Sequence, residues 1–237
     1  MFVRRLGARR GVIAGGVAVA LLAGGATFAW SSTREAEKPT CSLDVPARVV
    51  VNQPYLTPPV RRGADCAAAG VVEARWDAYT ADGTLVHQLI FRWDYPDRWN
   101  VFDSDKRGPW TWRPTGATTD LETDRPLVPQ NTPVSDLRLG STAYLTSRRD
   151  GRRITLSAHI GRYDVKTAAT ESWSGARGEL QLREPGNTVW TTFKHVTADS
   201  RGEATEAFDL AARFDYRLVV PDTADTWGST SSKVEDY

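Results

Sequence analysis

Three histidines, two cysteines and nine tryptophans are the residues of this 237-residue chain whose chemistry is distinctive enough to define a function. His87, His159 and His195 stand 72 and 36 residues apart. A nucleophilic triad or a metal centre needs one of them beside a serine, a cysteine or a second histidine. No G-x-S-x-G elbow and no H-E-x-x-H pair occurs to arrange this, so isolated strand histidines are expected. The 29 acidic residues allow carboxylate pairs of the glycosidase kind, which defines a secondary reading as a secreted hydrolase. Small domains without a long cleft-forming loop argue against it. Asp103-Ser104-Asp105-Lys106-Arg107-Gly108 imitates the start of a calcium loop and then fails. Arg107 stands where a third oxygen ligand belongs, and Pro114 where the closing Glu belongs. A turn with solvated charges is expected there. The chain reads as a non-enzyme that calls for no cofactor and no metal.

Cys41 and Cys66 are expected to pair if the chain matures in an oxidising compartment, which the N-terminal segment described below predicts. On the chain-entropy model such a bridge stabilises by about 3–4 kcal/mol. Eight of the nine tryptophans follow residue 30, and five fall between Trp76 and Trp112. Trp76 sits on the apolar face of an alternating segment and is expected in a core. Trp93, Trp99, Trp110 and Trp112 surround turns, and two readings stay open. They form an aromatic platform for sugar rings or an apolar partner, or they fill a small sandwich. Trp173, Trp190 and Trp227 read as structural.

The elements that position these residues are strands. Val72, Ala74, Trp76 and Ala78 alternate with Glu73, Arg75 and Asp77, and Asp82-Gly83 supplies a two-residue hairpin turn. Thr84 to Trp93 carries apolar residues on both faces, as a central strand does. Tyr95-Pro96-Asp97 breaks it, and the strand holding Trp110 and Trp112 is expected to end at Pro114. Asp150-Gly151 joins Ala143–Ser147 to Ile154–Ile160, Glu184-Pro185-Gly186-Asn187 turns the chain after Leu182, and Asp199–Gly202 turns it again. Phe214, Tyr216, Leu218 and Val220 point inward, with Tyr216 in position for a tyrosine corner. No helical period lasts ten residues after residue 31. The pattern predicts an all-β protein of two sandwiches of roughly 100 residues each, residues 41–136 and 137–237, joined at Thr132–Asp136.

Ahead of them lies an address. Arg4, Arg5, Arg9 and Arg10 precede the uncharged run Gly11–Trp30, the pattern of an export segment. It is either a cleaved signal peptide or a membrane anchor, since about 20 apolar residues suffice to span the hydrocarbon core. Residues 31–40 form a polar linker. Without residues 1–30 the chain keeps 26 of its 30 basic groups against 29 acidic ones, a net charge of −3. That balance gives no footprint for nucleic acid.

The chain resembles the tandem immunoglobulin-like exported proteins of actinobacteria. The resemblance lies in GADCAAAGVVEARWDAYTADGT, RWNVFD and RGPWTWRPTGA of the first half, and in GRYDVKTAATESWSG, GELQLREPGNTVWTTFKHVTADSRGEA and FDYRLVVPDTADTWGSTS of the second. It implies two consecutive immunoglobulin-like β-sandwiches and brings no catalytic or binding residues with it. The expected function is a non-enzymatic extracytoplasmic binding or structural module of the cell envelope, secreted or tethered. Its alternative is a carbohydrate-binding module using the domain-one tryptophans. The expected partner is an envelope component, a protein or a polysaccharide, with membrane contact only through residues 11–30.

Overall fold

In the computed structural model, which describes residues 39–92, 98–121 and 128–235, the strand periodicity resolves into two hydrophobic cores. The expected export segment 1–30, most of the expected linker 31–40, Trp93 and the expected turn at Tyr95-Pro96-Asp97 lie outside the described residues.

The first core is built by β1 (Leu43–Asp44), β2 (Arg48–Val51), β3 (Tyr55–Leu56), β4 (Arg61–Arg62), the five-residue helix α1 (Ala64–Ala68), β5 (Glu73–Thr80), β6 (Leu85–Arg92), β7 (Val101–Phe102), β8 (Gly108–Thr118) and β9 (Val134–Asp150). The main sheet runs β6-β5-β8-β9, with β2 added in parallel to β9. The short pairs β1–β4 and β3–β7 lie outside this sheet. Their Leu43 and Val101, with Cys66 of α1, pack into the same core as Ala74, Trp76 and Ala78 of β5. In immunoglobulin terms the main sheet is the C′-C-F-G order.

Three local expectations change. β6 is an edge strand, not a central one: Leu89 and Phe91 face the core, while Leu85 and Ile90 stay exposed. The Asp82-Gly83 hairpin is wider than two residues. Thr80 N–H donates to Thr84 O at 3.0 Å, Gly83 takes a φ of 82°, and the register shifts after Ala78. These are the marks of a three-residue loop ending in a left-handed glycine. β8 runs through Pro114 to Thr118, because a bulge between its pairings with Arg75 and Trp76 absorbs Thr115. There β8 pairs with β5 alone, so the missing proline N–H breaks no ladder.

The second core uses the rest of the chain: β10 (Arg153–Asp164), β11 (Ala169–Ser172), β12 (Arg177–Arg183), β13 (Thr191–Thr197), β14 (Glu203–Asp209), β15 (Asp215–Val220), β16 (Thr226–Trp227), β17 (Ser229–Thr230) and β18 (Val234–Glu235). β10 lies between β9 and β14 in one sheet, and the other runs β13-β12-β15-β17, with β18 also on β15. Ile154, Leu156, Ala158 and Ile160 of β10 face Leu180, Tyr216, Leu218 and Val220 across the interior, as the alternation requires. A strand B between A and E, opposite a sheet in which F lies between C and G, is immunoglobulin-type pairing. Tyr216 is wholly buried against Phe193 and Phe208.

One strand serves both cores. Residues 134–137 of β9 pair with β8 and residues 141–150 with β10, and the strand itself runs unbroken between them, its residues 138–140 paired with β2 and β16. Leu137 and Leu139 belong to the first core and Leu145 to the second.

Candidate functional site

The tryptophans are brought together, but inside. Trp99 and Trp112 are fully buried and Trp110 is 1% exposed. Trp99 packs edge-on to Trp112 with ring centroids 5.1 Å apart, and lies 5.8 Å from Trp110. The Trp110 indole N–H donates to Lys106 O at 2.9 Å and that of Trp112 to Ser135 Oγ at 3.2 Å. Strand alternation sends both rings of β8 to the same side, and that side is the core. Trp99, Trp110 and Trp112 therefore offer no face to a sugar, which corrects the platform reading for these three. Trp93 lies outside the described residues.

The histidines stay apart. His87 lies on β6, His159 on β10 and His195 on β13. His159 Nε2 is 3.3 Å from Ser172 Oγ, and His87 Nε2 is 3.4 Å from Arg98 O. In the loop that imitates a calcium site the acids serve the fold. Asp105 accepts the Phe102 N–H at 2.9 Å, and Asp103 accepts the Tyr163 hydroxyl at 2.8 Å. Among the described residues no group of three or more His, Cys, Asp and Glu side chains is placed to hold a metal ion.

Cys41 and Cys66 form a disulfide, and both are fully buried. Cys41 lies just after the start of the described chain, where its N–H donates to Pro129 O at 2.8 Å. Cys66 lies on α1, so the bridge ties the first segment of the sandwich to the helix that leads into β5. A structural bridge of this kind belongs to proteins that mature in an oxidising, extracytoplasmic compartment.

The arrangement with most built into it is the joint along β9. β16 pairs in parallel with β9 at Leu139 and Gly140, carrying Trp227 against the first sandwich. Its indole N–H donates to Val49 O at 2.9 Å, and the guanidiniums of Arg48 and Arg138 lie 4.3 Å and 4.1 Å from its ring centroid. Arg138 is itself held by the Asp136 carboxylate and by Thr223 O, and Arg48 by Gly228 O at 3.1 Å. The Asp136 hydrogen bond raises the Arg138 pKa further, so this clamp is always charged.

A second bolt comes from β10. Tyr163 is 1% exposed and packs in the first core, although its strand belongs to the second sandwich. Burial, and then the hydrogen bond to Asp103, push its phenol up to about 12. Sequence reading took Trp227 as structural without its place at the joint, and it missed Tyr163. Trp227 carried no periodic signal, and Tyr163 is out of phase with Ile154, Leu156, Ala158 and Ile160, so it faces the other side of β10 from the residues that fill the second core.

Fold and joint together define an all-β protein of two immunoglobulin-type sandwiches sharing one strand. No protein-family model matches the chain, and no curated protein matches it. Among solved structures it is similar to a tetra-tandem repeat in the extending region of a large adhesion protein, at 11% identity, with 83% of this chain and 48% of that one covered and a TM-score of 0.30. It is similar to alpha-2-macroglobulin of Salmonella reacted with methylamine at 12%, with 81% and 15% covered and a TM-score of 0.32. It is also similar to the D0-D1 domain of Intimin at 14%, with 83% and 96% covered and a TM-score of 0.26. The chain thus spans 48% of the first and 15% of the second. The fold assignment rests on strand pairing rather than on these likenesses.

Proposed function

We propose that this protein is a non-enzymatic structural and binding module of the cell envelope, working outside the cytoplasmic membrane as a stiff two-domain spacer. The single observation that supports it is the joint. A strand continuous through both sandwiches, bolted by Trp227 from one side and Tyr163 from the other, leaves no linker to bend. The tethering or release through residues 1–30 belongs to the same proposal, and so does the division into two modules, with the expected boundary at 136/137 moved into β9 because Leu137 and Leu139 pack in the first core. The disulfide supports the compartment.

Small-angle X-ray scattering of the full chain tests the spacer. The wild type is expected to fit one rigid conformation, and Trp227→Ala to broaden into an ensemble of inter-domain angles. A wild type already as flexible as the variant would remove the spacer reading. Fractionation tests the location: protein recovered in the cytosol with two free thiols would overturn it.

A further inference from the structure

The outer face of the β13-β12-β15 sheet carries an arrangement that neither the joint nor the core requires. Inward-pointing Leu180 and Leu218 leave Arg177, Glu179, Gln181 and Arg183 of β12, with Arg217 of β15, on the opposite side. The register sets Arg217 beside Gln181 and Gln181 beside Thr192, then Glu179 beside His195 and Arg177 beside Thr197. Two guanidiniums share the Trp190 indole, with Arg183 Cζ 4.5 Å and Arg217 Cζ 4.4 Å from its ring centroid.

Their partners are unequal. Arg183 Nε donates to Asp215 at 3.0 Å, whereas Arg217 Nε donates to the neutral Gln181 Oε1 at 2.8 Å. Among the described residues no carboxylate lies within ion-pair distance of Arg217. The acid nearest in register, the half-buried Glu179, already accepts from Gln181 and Thr192. Two like charges are thus held on one ring, with Asp215 shared by Arg183 and Lys233 and only an amide on Arg217, a repulsion that an anion relieves. Burial first, and then the charge of Arg183, hold the Arg217 guanidinium below its usual pKa. Both side chains bond through Nε, which leaves their Nη forks for the planar, bidentate contacts that carboxylates make. One row along lies a groove of 510 Å³ lined by Arg177, Glu179, His195, Thr197 and Pro221. Its volume is within the range of small-ligand sites.

We propose that this face binds an acidic polysaccharide, with sugar carboxylates on the Arg183–Arg217 pair and the chain lying along β12 toward Arg177. Six residues of strand separate the two ends, about 20 Å. Hydroxyl groups meet Thr192, Thr197 and His195 along the way, and Val196 and Pro221 supply the apolar part of the groove's lining. The site does not depend on the spacer reading, and either can fail alone.

Affinity electrophoresis of the full chain at low salt, in gels containing polygalacturonate, tests it. Retardation is expected with polygalacturonate, weakening as salt rises, and not with neutral dextran. Arg217→Gln and Arg177→Gln are each expected to weaken it by about tenfold, as loss of a charge-assisted hydrogen bond does. Among the described residues Arg177 stacks on no aromatic ring, so its variant separates binding from folding, and unchanged near-UV circular dichroism certifies both. Lys194→Gln, at an edge position paired with Glu206, is expected to bind as wild type. No retardation by polygalacturonate, equal retardation by dextran or by poly-glutamate, or equal loss in Lys194→Gln would each overturn the proposal.

Discussion

Tyr163 shows how much one side chain can decide. Its ring fills the first core while its backbone belongs to the second sandwich, and its hydroxyl spends its proton on Asp103. The phenol is raised to about 12 in the folded protein, above the unfolded value near 10, so the folded state holds the proton more tightly. Its contribution is therefore complete below about pH 10 and is lost as pH rises toward 12. Tyrosinate absorbance during alkaline titration is expected to show one tyrosine ionising late, together with a falling melting temperature. In Tyr163→Phe the late step disappears. A late step retained in Tyr163→Phe would assign it to another residue.

Elements divide into those legible from residue pattern and those set by neighbours. β10 was legible because Ile154, Leu156, Ala158 and Ile160 alternate cleanly, and so was the turn at Glu184–Asn187, where Asn187 N–H bonds to Glu184 O. The disulfide was legible from composition. Whether Trp99, Trp110 and Trp112 point in or out was not, because alternation says that residues share a side without saying which side is covered. β7, carrying Val101, and α1, carrying Cys66, contribute to the core that those rings fill, and both elements are too short to read from periodicity. The face around Trp190 escaped for a different reason. Its residues come from β12, β15 and the approach to β13, and only cross-strand register brings them together. At this scale the bridge is the accessible lever. Replacing both Cys41 and Cys66 with serine is expected to cost about 3 kcal/mol. Chemical denaturation would show it as a lower midpoint with a similar slope; an unchanged midpoint would mean that the β1–β4 region holds without its staple.

For the whole molecule, acid is the direction of weakness. Burial raises the Glu73 carboxyl, but hydrogen bonds from Arg92 and Arg75 more than offset it and leave the pKa below its usual value. Asp199 is lowered by the backbone N–H groups of Glu203 and Arg201. Asp225 is lowered by Thr223 and Thr226 against its own desolvation. Each binds its proton more weakly folded than unfolded, so each stabilises above the ordinary carboxylate range and ceases to as pH falls through its folded value. The melting temperature is expected to hold near neutrality and to drop below about pH 4. A profile flat down to pH 2 would show that these pairs contribute nothing net.

The shared strand has one further consequence, for how such a protein can change length. Side chains on β9 alternate with a period of two, so a single residue inserted between Gly140 and Ser141 would turn residues 141–150 over and put Leu145 in water. Two inserted residues would restore the faces while sliding one sandwich past the other by about 7 Å. The one-residue insertion is expected to abolish cooperative melting and the two-residue insertion to retain it. Measured by differential scanning calorimetry, equal tolerance of both would mean that the strand is a hinge after all. The distance between the two domains can then change only in even steps, like a ratchet with two residues to the tooth.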